Sequence, residues 1–391
     1  MIAVILAGGK GQRLAPVTNF LPKALVPING SPILKHQFDQ LIRIGISKVF
    51  VLTGHLASSI NDFCKTYSGE LEIICIETNS DWTPADRILA SETIIGKEFF
   101  LIYCDNYVAN DEDLQRVLES TSGLTFLIES REKGNVKLDG DQRAYYLAGA
   151  RKESHKYVEL GNMYINTERF YEELSNTRDL PKTLQIFSEK YPCSYKIATS
   201  PIISLSSFEN YKKVLADRKI ILLDRDGVLL EKMPTREYLT KFSDYTPIFD
   251  NWSVLREISQ MGIDFIIATN QPGIATGQVS EVFLQQLHTR LTSELTNYGV
   301  NILSIFVCKH HWDAKCNCRK PKAGMLIEAM EKFSIHSTDT LYIGDEEKDS
   351  VAAASAGINY VLVNREVKDE FAFTDLVFAK STILAKIFKI D

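Results

Sequence analysis

Two aspartates separated by one residue, in Asp224-Arg225-Asp226-Gly227, directly follow the apolar run Ile220 to Leu223. In an extended chain, positions i and i+2 point to the same side, so both carboxylates face one pocket. Such a pair can carry out phosphoryl transfer. One acid attacks phosphorus covalently and the other donates a proton to the leaving oxygen, while a divalent cation holds the phosphate and lowers the repulsion between the acids. A lone D-x-D-G equally fits an Asx turn at a strand end, and three further stretches weigh against that reading. Thr269-Asn270-Gln271 brings hydroxyl and amide donors to the end of Phe265 to Ala268, Arg319-Lys320 brings positive charge, and Gly344-Asp345-Glu346-Glu347-Lys348-Asp349 adds acids after Leu341 to Ile343. Mg²⁺ prefers carboxylates of this kind together with substrate phosphate.

A second cluster, CKHHWDAKCNCRKP from Cys308 to Pro321, holds three of the seven cysteines and two histidines. Its spacing admits a disulfide, a catalytic metal or a structural metal. A third, LAGGKGQRL from Leu6 to Leu14, follows the apolar run Ile2 to Leu6. Backbone amides of Gly8, Gly9 and Gly11 can point at an anion there, with Arg13 and Lys23 adding charge for a triphosphate. The loop lacks the Gly-Lys-Ser/Thr ending of a Walker loop, and Leu14 stands where a dinucleotide fingerprint has its last glycine.

These stretches need strands to carry them. In both halves, short apolar runs alternate with helical patterns: Pro32 to Ile44 and Ala57 to Tyr67 among strands at Lys48 to Thr53, Leu71 to Glu77 and Glu98 to Cys104, then strands at Asp264 to Thr269, Ile302 to Val307 and Thr340 to Ile343. Ser280 can cap a helix whose Phe283, Leu287, Leu291 and Leu295 share one core-facing stripe. The pattern predicts two tandem α/β domains with Rossmann-like parallel sheets, residues 1–216 and 217–391, joined in the polar stretch Lys212 to Lys219. A length of 391 residues suits two domains.

The balance of 45% hydrophobic and 24% charged residues is that of a globular chain. A formal charge of -6 without a basic run argues against nucleic-acid or anionic-membrane partners. No apolar stretch reaches the ~18 residues of a membrane span, and the N-terminus does not read as a signal peptide. Cys64, Cys75, Cys104 and Cys193 lie among apolar neighbours and read as buried small hydrophobes. A cytoplasmic, reducing location follows, which disfavours a disulfide in the 308–318 loop.

Through LLDRDGVL, ATNQPGIATG, CKHH…CNCRKPKAGM and YIGDEEKD, most of residues 218–365 resembles the haloacid dehalogenase superfamily. The similarity is to the branch containing heptose 1,7-bisphosphate 7-phosphatase and histidinol phosphatase. The resemblance implies Asp224 as nucleophile and Asp226 as general acid, the latter also lending its backbone carbonyl to Mg²⁺. It implies Asp224 and Asp345 as side-chain Mg²⁺ ligands with Asp349 in support. Thr269, Asn270 and Lys320 would contact phosphate, and Arg319 the substrate. Cys308, His310, Cys316 and Cys318 then form a closed set of three thiolates and one imidazole, which suits Zn²⁺. A closed site has no position for substrate, so zinc would shape the loop that delivers Arg319 and Lys320. The family pattern selects His310 over the adjacent His311, and the gap between ligand pairs is shorter here than in well-known members.

Residues 1–215 resemble the sugar-1-phosphate nucleotidyltransferases through LAGGKGQRL, FLPKALVPING, SPILKHQFDQL and YVELGNMYI, with a heptose 1-phosphate guanylyltransferase-like activity implied. That resemblance makes Asp105 a metal-binding acid and Arg13 and Lys23 the charges on the triphosphate. Two positions depart from it. Thr83-Pro84-Ala85-Asp86 replaces a glycine-containing turn, and Ser204 falls where a second metal-binding acid belongs. The expected enzyme removes the 7-phosphate of a heptose 1,7-bisphosphate and couples the resulting heptose 1-phosphate to a nucleoside triphosphate, with GDP-heptose as product. Two alternatives stay open: a phosphatase carrying a non-catalytic nucleotidyltransferase-like module, and a histidinol-phosphate phosphatase.

Overall fold

The computed structural model describes residues 1–140, 143–216, 218–234, 237–364 and 372–389. They form two compact units. The first comprises Met1–Ala15, Pro22–Leu25 and Pro32–Tyr211, and the second Pro16–Leu21, Val26–Ser31 and Lys212–Asp391.

In the first unit, the strand Ile2–Leu6 is buried at Ala3, Val4 and Ile5 because helices cover both faces of a parallel sheet and leave no polar side. It pairs in parallel with Lys48–Thr53 on one side and Glu98–Tyr103 on the other. Glu72–Glu77 extends the parallel part beyond Lys48–Thr53, while Tyr157–Asn166 continues antiparallel beyond Glu98–Tyr103. The chain therefore reverses its direction of travel across the sheet at Ile2–Leu6. A crevice opens at the carboxyl ends of the strands flanking such a reversal, and the glycine loop and Asp105 follow those strands here.

The second unit repeats the device. Its sheet runs Ile302–Cys308, Ile263–Asn270, Lys219–Leu223, Leu341–Gly344, Asn359–Val363 and Ala372–Phe373, all in parallel. Lys219–Leu223 lies between the two directions of winding, so Asp224 and Asp345 emerge side by side at the reversal. Helix Glu281–Tyr298 covers this sheet. Ser280 caps it by accepting the Phe283 amide at 3.1 Å, and Gly299 ends it at φ 93°. Leu287, Leu291 and Leu295 are fully buried along its core face, whereas Phe283 packs at the margin. Trp252 packs into the same buried cluster, its ring 5.8 Å from that of Tyr298 and its indole donating to the Leu229 carbonyl at 2.9 Å. Of the four scattered cysteines, Cys104 and Cys193 are buried, but Cys64 and Cys75 are only half-buried. Cys75 lies on Glu72–Glu77, which ends the parallel part of the sheet and is less covered than the strands inside it. No described helix is long and apolar enough to cross a membrane.

Candidate active sites

Asp224 leaves its strand with its amide donating to the Ile343 carbonyl at 2.8 Å, which locks it beside the strand carrying Asp345. Its side chain is almost fully buried. Oδ1 accepts the Arg225 amide at 2.7 Å and Oδ2 meets Lys320 Nζ at 2.7 Å. Lys320 also reaches Asp349 Oδ1 at 2.8 Å and the Tyr342 hydroxyl at 2.7 Å, and none of its side chain is exposed. Gly227 completes the turn at φ 79°, where a Cβ would lie 2.4 Å from Asp345 Oδ2. Only glycine suits both the left-handed backbone and that approach.

One carboxylate oxygen from each of Asp224, Asp345 and Asp349 lies within 4.8 Å of the others, and all three residues are buried. Burial and the neighbouring Asp224 push Asp345 up to about 7, with Lys232 opposing them. Burial and Asp224 raise Asp349 as well. Crowded acids driven toward their protonated forms are what a bound cation would return to carboxylates, and an all-oxygen donor set fits Mg²⁺. Asp349 has a second task, accepting the amides of Asp345 and Glu346 at 3.2 and 3.1 Å, so it fixes the turn that presents Asp345.

The carboxylate of Asp226 stands outside this group. Arg225 grips it with Nε and Nη2, each at 3.0 Å, and Gln271 Nε2 adds a third bond at 2.9 Å. Arg225 is held in turn by buried His288, 3.1 Å from its Nη1. Burial and the Arg225 charge keep that imidazole far below its ordinary pKa, hence neutral and able to accept. Thr269 Oγ1 accepts from Gln271 at 2.9 Å. Asn270 spends its amide on the Lys320 backbone in both directions, at 3.0 and 3.2 Å, and so braces the loop that carries the lysine. Asp224, Asp226, Thr269, Asn270, Gln271 and Asp345 line a cavity of about 430 Å³ together with Arg319, whose Nη1 is buried and has no hydrogen-bond partner among the described residues. An unmet guanidinium nitrogen beside a cavity calls for an anion.

The sequence reading named neither Lys232, which donates to Asp345 at 2.9 Å and also to Glu346, nor Tyr342. Lys232 follows Asp224 by eight positions in an irregular stretch, and no spacing rule marks it. Tyr342 reads simply as strand core.

Cys308, His310, Cys316 and Cys318 bring one donor atom each within 4.8 Å of the others. His310 Nδ1 is 3.2 Å from Cys318 Sγ and 3.6 Å from Cys308 Sγ, and the two sulfurs of Cys308 and Cys316 are 3.9 Å apart. All the cysteines are free thiols. His311 turns away, placing Nδ1 3.3 Å from Asp313 and its ring against Trp312. Burial and the adjacent thiols push Cys318 up to about 12. Four soft donors in one cluster fit Zn²⁺ as a closed set. Arg319 and Lys320 follow the last of them immediately, so the cluster would anchor the backbone that threads Lys320 into the acidic pocket.

Lys320→Met tests that placement. It leaves Asp224 and Asp349 buried without their shared cation. Urea unfolding is expected to show a loss of about 3–5 kcal/mol, and phosphate release to fall about 10²-fold.

In the first unit, a cavity of about 740 Å³ is lined by Gly8, Gly9, Gly11, Arg13, Lys23, Arg87 and Asp105 among others. Lys23 Nζ lies 2.5 Å from Asp105 Oδ2. Ser204 pairs across a two-stranded ladder with Asn106, and the Leu205 amide donates to the Asp105 carbonyl at 2.7 Å. Ser204 thus lies next to Asp105 in the fold but opens on a separate 520 Å³ cavity. Both metal-competent clusters found among the described residues belong to the second unit. Thr83-Pro84-Ala85-Asp86 forms a capping box that starts helix Pro84–Ala90, with Asp86 accepting the Thr83 hydroxyl at 2.7 Å.

Folds and acids together define a haloacid dehalogenase-type phosphatase behind a nucleotidyltransferase-type domain. Family models agree: "Nucleotidyl transferase" matches residues 2–131 and "HAD-hydrolase-like" matches residues 317–385. A D-glycero-alpha-D-manno-heptose-1,7-bisphosphate 7-phosphatase of Photorhabdus laumondii is 37% identical over 147 residues, covering 36% of this chain and 79% of that protein. The D-glycero-beta-D-manno-heptose-1,7-bisphosphate 7-phosphatase of Pseudomonas putida is 31% identical over 173 residues, covering 43% of this chain and 98% of that protein. A crystal structure of a D,D-heptose 1,7-bisphosphate phosphatase from B. bronchiseptica with magnesium and phosphate is 26% identical, covers 43% of this chain and 99% of that one, and gives a TM-score of 0.39. The chain belongs to the heptose-1,7-bisphosphate 7-phosphatase family and carries a nucleotidyl transferase domain ahead of the phosphatase.

Proposed function

We propose that the C-terminal domain is an Mg²⁺-dependent phosphatase acting on the 7-phosphate of a D-glycero-D-manno-heptose 1,7-bisphosphate. The cluster of Asp224, Asp345 and Asp349, braced from behind by buried Lys320, beside a cavity that Asp224, Asp345 and Arg319 line carries this reading. An oxygen of Asp224 forms a bond to phosphorus as the bond from phosphorus to the C7 oxygen breaks, and Asp226 supplies the proton that oxygen needs. Water then hydrolyses the aspartyl phosphate, with Asp226 accepting its proton. Magnesium, held by Asp224, Asp345 and Asp349 with the Asp226 backbone carbonyl, would neutralise phosphate charge. Zinc on Cys308, His310, Cys316 and Cys318 would be structural.

The N-terminal domain is proposed to take the resulting heptose 1-phosphate and a nucleoside triphosphate, yielding GDP-heptose and pyrophosphate for surface polysaccharide in the cytoplasm. Fusion then places consecutive steps on one chain. Ser204 favours a second reading, in which Asp105 lacks its partner acid and this domain only binds ligand.

A panel of heptose 1,7-bisphosphate, histidinol phosphate, and heptose 1-phosphate with each nucleoside triphosphate separates these readings when phosphate and pyrophosphate are scored independently. The expected result is phosphate from the bisphosphate at least about tenfold faster than from histidinol phosphate, and pyrophosphate with GTP. Absence of pyrophosphate with every base leaves the phosphatase with a binding module, and faster release from histidinol phosphate removes the heptose reading.

A further inference from the structure

Arg87 belongs to no motif considered above. It lies on helix Pro84–Ala90, is 2% exposed, and lines the 740 Å³ cavity. Its Nη2 donates to the carbonyls of Gly8 at 3.0 Å, Ser80 at 3.3 Å and Trp82 at 3.0 Å. Its Nη1 donates to the Thr53 carbonyl at 3.2 Å and to the Thr78 hydroxyl. One guanidinium therefore ties together the glycine loop, the end of the strand Lys48–Thr53 and the stretch from Thr78 to Trp82. All five acceptors are neutral oxygens. A buried cation without an opposite charge in contact is costly, and burial lowers its pKa, with Asp86 only partly opposing.

The glycines record the same constraint. A Cβ on Gly8 would sit 2.4 Å from Arg87 Cζ, and one on Gly54 would sit 2.5 Å from Nη1. Among the described residues, nothing lies within 4 Å of the Cβ position of Gly9. Gly8 and Gly54 thus give space to the guanidinium, while Gly9 faces open space.

Resting on the reading of this domain as a nucleotidyltransferase, we propose that Arg87 is the positioning residue of its nucleotide cavity. It clamps three wall segments into one surface and supplies the unneutralised positive charge that a triphosphate balances. Arginine is required because only its planar fork spans several carbonyls, whereas a lysine would keep the charge and lose the geometry.

Calorimetric titration of the full-length chain with GTP and GMP, in Mg²⁺, provides the test on wild type, Arg87→Lys, Arg87→Ala, Gly8→Ala and the double variant Gly8→Ala/Arg87→Ala, the wild type being titrated with ATP, CTP and UTP as well. Arg87→Lys is expected to weaken GTP at least about tenfold. Arg87→Ala should weaken GTP more than GMP, a split that a general loosening of the fold would not produce. Because the alanine methyl at position 8 competes with the guanidinium for one space, the double variant is expected to bind no worse than Gly8→Ala alone. Wild-type GTP affinity in Arg87→Lys, or strictly additive losses in the double variant, overturns the clamp while leaving the nucleotide reading standing. Failure of the wild type to bind GTP, ATP, CTP or UTP overturns both.

Discussion

Asp224→Asn is expected to reduce phosphate release from heptose 1,7-bisphosphate at least about 10³-fold, equivalent to ~4 kcal/mol of transition-state stabilisation. The amide keeps the side chain's volume and can still accept from the Arg225 amide, and Lys320 keeps Asp349, so the circular-dichroism spectrum should be unchanged. What disappears is the anionic oxygen able to form the aspartyl phosphate. Turnover within tenfold of wild type would falsify the nucleophilic role. Asp226→Asn gives the complementary result. If Asp226 protonates the leaving oxygen, its loss should cost about 10²–10⁴-fold on a sugar phosphate and far less on an aryl phosphate, whose leaving group departs without a proton. Equal losses on both substrates would reduce Asp226 to an ion-pair partner of Arg225.

Cys316→Ser is expected to have the second-largest effect although Cys316 does not line the reaction cavity. A hydroxyl is a poor zinc donor, and removing one of four ligands should lower zinc affinity about 10- to 100-fold or more. Bound zinc measured by elemental analysis should fall from one per chain. Arg319 and Lys320 directly follow Cys318, so a slackened loop withdraws positive charge from Asp224, and phosphate release should fall with the zinc content. The two proposed metals have separate signatures. Activity lost to a general chelator should return with Mg²⁺ alone if zinc stays bound, whereas Cys316→Ser should not be rescued by Mg²⁺. Full activity in a zinc-free variant would show that the loop holds its shape without the cluster.

The same substitutions show which parts of the site could be read along the chain. Asp224 and Asp345 each directly follow a short apolar strand, Asp349 stands in the first turn of the helix Glu347–Ser355 just beyond, and C-x-H-x5-C-x-C is compact enough for its donors to meet by local folding alone. Where spacing was silent, long-range packing supplied the answer. Lys232 reaches Asp345 across 113 positions, and His288 supports Arg225 from a helix 63 positions away. Asn270 shows the reverse case: its type suits a phosphate donor, yet its amide is committed to the Lys320 backbone.

Residue order along the chain was enough to mark out two α/β units, strand ends bearing acids or glycines, and a thiolate-imidazole loop, because hydrophobic periodicity and short-range ligand spacing are local properties. Which acids gather in one cluster, which histidine joins the thiols, and that Arg87 ties the glycine loop to two neighbouring segments depended on strand order and side-chain direction. Those follow from how distant segments pack, where burial and charge balance act between residues that no sequence window contains together.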